Sequence, residues 1–362
     1  MSPLTFLLLL TAGAAERPLA IRAEHVLLAD GRTLDSGVVL VEDGKITRVG
    51  AEKDVEVPSD AGRIDHKGWL SAGLIALHGY SGALGELRDT TRAALPEGRV
   101  AWAFDPTNPD VADLTREGIT SLVLTPLPQS LVGGASAVVK TAGRNFVARE
   151  AQISLGFSSQ NLANNRFPTS YSGGVAELDR LFEKPTGTLE KCKQGEIPAL
   201  FEVSTPSDVL RAIDFAKRHK LKGALAGAEW TGEVANTVKG SGLAVVTPTL
   251  RPGEDRRTLR AIVALGTADV PFGFGLDAPA SHAAQLRLSA ALCVREGLAR
   301  DKAWRALTSE SARIAGVEKR VGSLEPGLDA DFVLWSGDPM ELSSAVSAVY
   351  VDGKRVYSAE ER

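Results

Sequence analysis

The chain has 362 residues, of which 44% are hydrophobic and 24% are charged. This is the composition of a globular protein with enough apolar material for a large core. The formal net charge is -4 and no long run of like charge occurs, so the sequence predicts no nucleic-acid partner and no anionic membrane surface as a partner. Two cysteines, Cys192 and Cys293, are too few for a disulfide framework or a zinc motif, and one disulfide or two buried thiols are both open.

The N-terminal segment has the pattern of a secretory signal peptide. An apolar run at 7–10 is followed by small residues at 11–15, which predicts export to the periplasm or the extracellular space. The small-x-small cleavage pattern fits two registers, with either Ala12 and Ala14 or Gly13 and Ala15 before the cut, so about the first 15 residues are removed. No Lys or Arg precedes the run, so a disordered or mis-assigned start is the alternative. The run is too short to span a bilayer and no other stretch is long enough, so no membrane span is predicted.

The predicted elements change character twice along the chain. Short strands and tight turns over 19–65 indicate a β-meander, with a hairpin turn at 42–45. From Trp69 onward, apolar runs alternate with helical segments, which favours a parallel sheet covered on both faces. After Gly316 the strand-and-turn pattern returns and ends in a hairpin over 346–357.

The predicted fold class is α/β, a (β/α)8 TIM-type barrel with a small β-domain formed from N- and C-terminal segments. Residues 69–316 make the barrel domain, because about 250 residues is the usual size of such a barrel. Residues 16–68 and 317–362 make the composite β-domain, since neither terminal set of strands is large enough to be stable alone. Residues 1–15 are the predicted signal peptide.

Three passages carry a family resemblance. They are VEDGKI at 41–46 with WLSAGLIALH at 69–78, GITS at 118–121 with GGASAVVKT at 133–141, and VGSLEPGLDADFVLW at 321–335 with VDGKRV at 351–356. Together they resemble the amidohydrolase superfamily and are most similar to its imidazolonepropionase-like branch. The resemblance extends from about residue 19 to residue 357.

The resemblance implies a barrel whose strand ends hold one or two divalent metals. A metal lowers the pKa of a bound water and polarises a carbonyl, so that hydroxide attacks a C–N bond in a linear or cyclic amide. The family pattern uses a His-x-His pair on the first barrel strand, further histidines on the fifth and sixth strands, and an aspartate on the eighth as ligand and proton acceptor.

This chain keeps few of the implied ligands. The His-x-His position holds His78 and Tyr80, the fifth-strand position aligns with Glu202, the sixth falls near Gly227, and the eighth is Asp277. A site of four histidines cannot be assembled, because too few of the histidines lie near expected strand ends. The chain has five in all: His25, His66, His78, His219 and His282.

Three residues are candidates for a remnant metal site. His78, Glu202 and Asp277 could converge from three strand ends, and nitrogen and oxygen ligands suit several divalent ions. Asp277 is also the candidate catalytic base, because the carboxyl ends of barrel strands carry the active site. The alternatives are that His78 only lines the barrel mouth, that Glu202 is a buried carboxylate, and that Asp277 has drifted with its lost partners.

The candidate ligand-binding residues are Tyr80, Gly133, Gly134, Lys140 and His282. The glycine pair and the lysine could hold an anionic group through backbone amides and an ammonium. A tight turn beside a surface lysine is the alternative interpretation of that segment.

The predicted function is that of an amidohydrolase-family protein with a degenerate metal site, non-catalytic or drifted, which binds a small molecule. One alternative is an active metal-dependent hydrolase of amide or cyclic-amide C–N bonds with a reduced site. Another is an exported interaction module. The expected cofactor is none, or a weakly bound divalent metal with zinc as the favoured ion. Neither the substrate nor the oligomeric state can be predicted from these patterns.

Overall fold

The computed structural model describes residues 17–87, 89, 91–143, 146–163, 165–227 and 229–361. The predicted signal peptide at 1–15 lies outside the described residues. The strands are β1 (Leu19–Leu27), β2 (Thr33–Glu42), β3 (Lys45–Ala51), β4 (Gly62–Ala72), β5 (Leu74–Gly79), β6 (Ile119–Leu124), β7 (Val132–Ala135), β8 (Ala137–Lys140), β9 (Phe146–Ala148), β10 (Ile153–Gly156), β11 (Ala199–Glu202), β12 (Gly223–Ala226), β13 (Ala244–Thr247), β14 (Phe272–Phe274), β15 (Phe332–Trp335), β16 (Val346–Val351) and β17 (Lys354–Ser358). The helices are α1 (Pro109–Arg116), α2 (Tyr171–Glu183), α3 (Thr188–Gln194), α4 (Pro206–His219), α5 (Ala235–Ser241), α6 (Arg256–Thr267), α7 (Gln285–Arg295), α8 (Arg300–Leu307) and α9 (Ser309–Ile314).

A seven-stranded sheet draws its strands from both ends of the chain, in the order β17-β16-β15-β4-β1-β2-β3. The two ends meet where β15 pairs antiparallel with β4, with Trp335 opposite Trp69. Alternate residues of these strands share one apolar cluster, which includes Leu70 and Phe332. This period of two is what a strand requires when one of its faces is buried.

The other two sheets are linked at two places. The six-stranded sheet has the order β14-β13-β12-β11-β10-β7, and the four-stranded sheet has the order β5-β6-β8-β9. Residues 132–140 supply one strand to each sheet, and an isolated bridge joins Leu77 of β5 to Gly275 beyond β14. The Leu276 amide donates to the Leu77 carbonyl at 2.7 Å, which strengthens the second junction.

Both faces of these strands are apolar and buried. Leu77, Val123, Leu200 and Val246, from four different strands, belong to one cluster. Their neighbours along the strands belong to the larger cluster that includes the helices, as Phe201 does. Burial on both faces explains the continuous apolar runs in the sequence.

The chain between β6 and β10 departs from the predicted parallel arrangement. β8 pairs antiparallel with β6, and β7 pairs antiparallel with β10. Residues 125–136 between β6 and β8 contain β7 but no helix, so this segment lacks the helical crossover that usually joins parallel strands. The prediction of a parallel sheet is therefore wrong for this segment, while β10 to β14 are parallel throughout.

The helices α1, α2, α4 and α6 each begin at a residue whose side chain caps the first turn. Thr205 and Asp208 form a capping box at the start of α4, with Pro206 in the first turn, and Lys220 ends the helix in a left-handed conformation. α7 begins at Gln285, after turns between residues 278 and 284. Among the described residues, no helix has the length and apolar character needed to cross a membrane.

Candidate functional site

Three predicted site residues come together at the carboxyl ends of parallel strands. His78 is the penultimate residue of β5, Glu202 is the last residue of β11, and Asp277 follows β14 by three residues. His78 Nε2 lies 3.5 Å from Glu202 Oε1, and His78 Nδ1 lies 3.6 Å from Asp277 Oδ1. One imidazole ring thus lies between two carboxylates from different strands.

A left-handed backbone conformation sets the position of His78. The residue has φ of 55°, a conformation that costs energy for a non-glycine residue and is common at functional sites. Leu77 belongs to the apolar cluster that also contains Val123 and Leu200. The positive φ of His78 interrupts the alternation of side chains along β5, which would otherwise send the His78 side chain to the opposite face of the strand. Gly79 allows the close approach of the β14 end, since a Cβ there would lie 2.8 Å from the Leu276 carbonyl oxygen.

The electrostatics of this group favour a charged imidazole. Burial disfavours the imidazolium, but the carboxylates of Glu202 and Asp277 outweigh that effect and raise the pKa of His78 to about 10. The Glu202 side chain is 4% exposed and that of Asp277 is 45% exposed. The two carboxylates therefore favour the imidazolium form of His78, which would neutralise a carboxylate that is otherwise buried alone.

The same geometry does not fit a catalytic zinc. Such a site takes about three protein ligands and an open position for water. Glu202 and Asp277 face different nitrogens of the His78 ring, so they cannot share one metal ion with the same nitrogen. Within the described ranges, no group of three or more His, Cys, Asp or Glu side chains could hold a metal ion.

Tyr80 lies against the His78 ring, whereas His282 is exposed in a loop. The Tyr80 ring meets the His78 ring edge-on, with centroids 5.7 Å apart. Burial, together with the charges of Glu202 and Asp277, raises the pKa of the Tyr80 hydroxyl, so it stays protonated. His282 is exposed, and its Nδ1 accepts a hydrogen bond from the Ala284 amide within its own loop.

Buried hydroxyl groups near the strand ends were missed by the sequence analysis. The Oγ atoms of Ser81 and Ser281 and the Oγ1 atoms of Thr125 and Thr247 are buried and have no hydrogen-bond partner among the described residues. Buried polar atoms are nearly always paired, with protein, water or ligand. A Thr-Pro pair at the ends of β6 and β13 is the signal that could have pointed to two of them.

Gly133 and Gly134 shape the backbone around a pocket. Gly133 lines a pocket of about 620 Å³ formed by the chain after β5. Gly134 has φ of 93°, and a Cβ there would lie 2.7 Å from the Gly98 carbonyl oxygen. The glycine therefore allows residues 94–99 to lie beside β7, where Arg99 bridges to Ala135.

Lys140 is not a surface lysine. Its side chain is 0% exposed, and Nζ lies 2.8 Å from Asp329 Oδ2 and 3.0 Å from Asp331 Oδ1, with a further close contact to Asp352. The proposed anion cradle of Gly133, Gly134 and Lys140 is contradicted by this placement, because three carboxylates already surround the ammonium. We call Lys140, Asp329, Asp331 and Asp352 the lysine clasp.

The lysine clasp brings together residues from the passages 133–141, 321–335 and 351–356. Lys45 and Arg320 also pair with Asp329, so that carboxylate faces three cations. Asp331 and Asp352 flank the strands β15 and β16, whereas Lys140 ends β8 of the four-stranded sheet. Burial raises the pKa of Asp331 to about 6, whereas at Asp329 the three cations outweigh burial and hold the pKa well below its usual range.

A protein-family model and one curated protein are similar to this chain in sequence. Residues 247–357 match the model of the amidohydrolase family. The curated protein "Amidohydrolase tasK" of Hapsidospora irregularis is 23% identical over 390 aligned positions, which cover 88% of this chain. The chain spans only 39% of the length of that relative.

Solved amidohydrolase structures share the fold. The crystal structure of an amidohydrolase from Thermotoga maritima MSB8 superposes with a TM-score of 0.81 at 23% identity, covering 94% of this chain and 100% of that one. The A. niger ochratoxinase has a TM-score of 0.60 at 15% identity, covering 95% of this chain and 96% of its own. These solved structures show the fold that this chain shares with them.

Proposed function

We propose that this protein is an amidohydrolase-family member without a catalytic zinc, which binds a small polar molecule at its strand ends. The observation that carries the proposal is the position of His78, whose two ring nitrogens face Glu202 and Asp277 on opposite sides. In this arrangement an imidazolium supplies the positive charge between the carboxylates. The buried hydroxyls at the neighbouring strand ends could donate to or accept from a polar ligand.

The proposed fold is a (β/α)8 barrel. In support, one apolar cluster is shared by residues from β5, β6, β8, β11, β12 and β13, as expected for side chains that fill a barrel interior. Residues 132–140 connect β7, an edge strand of the six-stranded sheet, to β8, and the bridge between Leu77 and Gly275 connects β5 to the residue after β14. We further propose that the chain is nearest to the imidazolonepropionase-like branch, on the three passages that resemble it.

The proposal predicts no zinc-dependent hydrolysis. Purified protein, assayed with excess zinc against a panel of linear amides and lactams, should give rates no higher than a His78→Ala and Asp277→Asn double variant. The physical reason is that Glu202 and Asp277 face different nitrogens of the His78 ring, so the three side chains cannot together hold one zinc ion with its bound hydroxide. Zinc-stimulated turnover that is present in the wild type and absent from the double variant would contradict the proposal.

An active hydrolase with a reduced site is the second candidate. Asp277 favours it, because its side chain is 45% exposed at the barrel's functional face, where a carboxylate can reach a substrate. For this candidate, Asp277→Asn alone should abolish turnover. The hydrolysis assay above therefore separates the two candidates.

We also propose that the protein is exported and that residues 1–15 are removed. The support is the apolar run at 7–10 followed by small residues. N-terminal sequencing of protein isolated from its natural host should begin near Glu16. A mature chain that starts at Met1 or Ser2 would refute export by this route.

A further inference from the structure

The strand-end group carries more negative charge than positive charge. The carboxylates of Glu202 and Asp277 face the one imidazole of His78. Among the described residues, each of these carboxylates forms an ion pair with His78 and with no other cation. Two carboxylates and one imidazolium leave one negative charge uncompensated, and a neutral imidazole leaves both. The excess of negative charge therefore does not depend on the protonation state of His78.

The two carboxylates differ in how easily a ligand can reach them. The Glu202 side chain is 4% exposed, and it also accepts a hydrogen bond from Ser154 Oγ at 3.4 Å. The Asp277 side chain is 45% exposed, and its distance of 3.6 Å from His78 is longer than a hydrogen bond. The Asp277 amide donates to Thr249 Oγ1 at 2.8 Å, which fixes the backbone beneath the carboxylate. Asp277 thus presents an accessible carboxylate from a well-held position.

A buried hydroxyl group without a partner lies beside these carboxylates. Thr125 is 0% exposed, and its Oγ1 has no hydrogen-bond partner within the described part of the chain. Thr125 directly follows β6, and the alternation of that strand places it on the face of Val123, in the apolar cluster enclosed by the strands. Burial and the two carboxylates raise the pKa of Tyr80, and the neighbouring Thr125 hydroxyl lowers it. The two hydroxyls and the two carboxylates are therefore neighbours.

These acceptors match a ligand that carries a positive charge and several N–H donors. A hydrogen bond between an ionised donor and a carboxylate is roughly twice as strong as one between neutral groups. The hydroxyl oxygens of Thr125 and Tyr80 can accept from the N–H groups that the carboxylate does not use. A primary ammonium group has three donors and no acceptor, whereas a carboxylate ligand has acceptors only and would be repelled.

We propose that the strand-end site binds a small primary-ammonium compound, whose N–H groups donate to the Asp277 carboxylate and to the Thr125 hydroxyl oxygen. This inference rests on the proposed function, because it names the class of ligand for the same metal-free site. It adds a preference in charge: a cation should bind more tightly than a neutral or anionic molecule of the same shape.

Three compounds with one aromatic body and different head groups test this preference. They are 2-phenylethylamine, 2-phenylethanol and 3-phenylpropanoate, and isothermal titration calorimetry of the full chain at pH 7 measures the Kd of each. The shared body gives all three the same apolar contacts, so differences in Kd report on the head group. We expect one amine per chain, with a Kd at least about tenfold lower than that of the alcohol. The carboxylate should bind more weakly than the alcohol.

A pair of matched variants assigns the preference to Asp277. Asp277→Asn keeps the shape of the side chain and removes its charge, so the Kd of the amine should come within about twofold of that of the alcohol. Asp60→Asn makes the same chemical change at an exposed turn between β3 and β4, and it should leave the preference for the amine intact.

The outcomes separate this inference from the proposed function. Equal affinity for the three compounds, or a preference for the amine that persists in Asp277→Asn, would overturn the inference and leave small-molecule binding at the strand ends in place. Absence of binding by all three compounds would overturn it as well. Stoichiometric zinc in the purified protein would instead contradict the proposed function itself.

Discussion

Replacing Lys140 with methionine should lower the free energy of unfolding by about 3–5 kcal/mol, the range for removing one partner of a buried ion pair. The ammonium is 0% exposed and faces Asp329, Asp331 and Asp352. Asp329 would keep its contacts with Lys45 and Arg320. Asp331 would be left as a buried carboxyl group without a cation.

Urea unfolding measures this change, and Lys319→Met is a matched control because Lys319 is exposed. The control should change the free energy of unfolding by less than about 0.5 kcal/mol. A Lys140→Met and Asp331→Asn double variant should recover part of the loss, because the unpaired carboxylate is then gone. A loss below about 1 kcal/mol in Lys140→Met, the value of an exposed pair, would show that the lysine clasp does not hold the sheets together.

Replacing His78 with glutamine should also destabilise the fold, by about 3 kcal/mol near pH 6, since Glu202 would lose its buried counter-charge. The loss should depend on pH. Because the pKa of folded His78 is raised to about 10 from an ordinary value of 6.5, the imidazolium contributes its full stability below pH 6.5. That contribution is lost as the pH rises toward 10.

The test compares wild type and His78→Gln by urea unfolding at pH 6, 8 and 9.5. Other titrating groups are common to both proteins, so the difference between the two free energies reports on His78. The difference in free energy of unfolding between the two proteins should fall below about 1 kcal/mol at pH 9.5. A gap that stays constant from pH 6 to 9.5 would mean that His78 is neutral in the folded protein.

The strand ends of the candidate site could be predicted because they follow apolar runs that the sequence shows directly. Glu202 and Asp277 each end or follow such a run. The contact of both carboxylates with one ring could not be predicted, because it depends on a φ of 55° at His78. Hydrophobic periodicity carries no information about that dihedral angle.

The role of Lys140 could not be predicted from the sequence, for a different reason. Its partners lie about 190 to 210 residues away in sequence, in turns around β15 and β16. A local pattern of glycines before a lysine predicts a turn, but it cannot report a charge partner contributed by another sheet. The antiparallel segment at 132–140 was missed because short apolar runs do not reveal strand direction.

We propose that a histidine cation, and not a zinc ion, lies between the strand-end carboxylates. The most direct test is elemental analysis of protein purified without chelator and then dialysed against metal-free buffer. We expect far less than one zinc ion per chain, and the same zinc content in a His78→Ala and Asp277→Asn double variant. Near-stoichiometric zinc in the wild type that is lost in the double variant would contradict it.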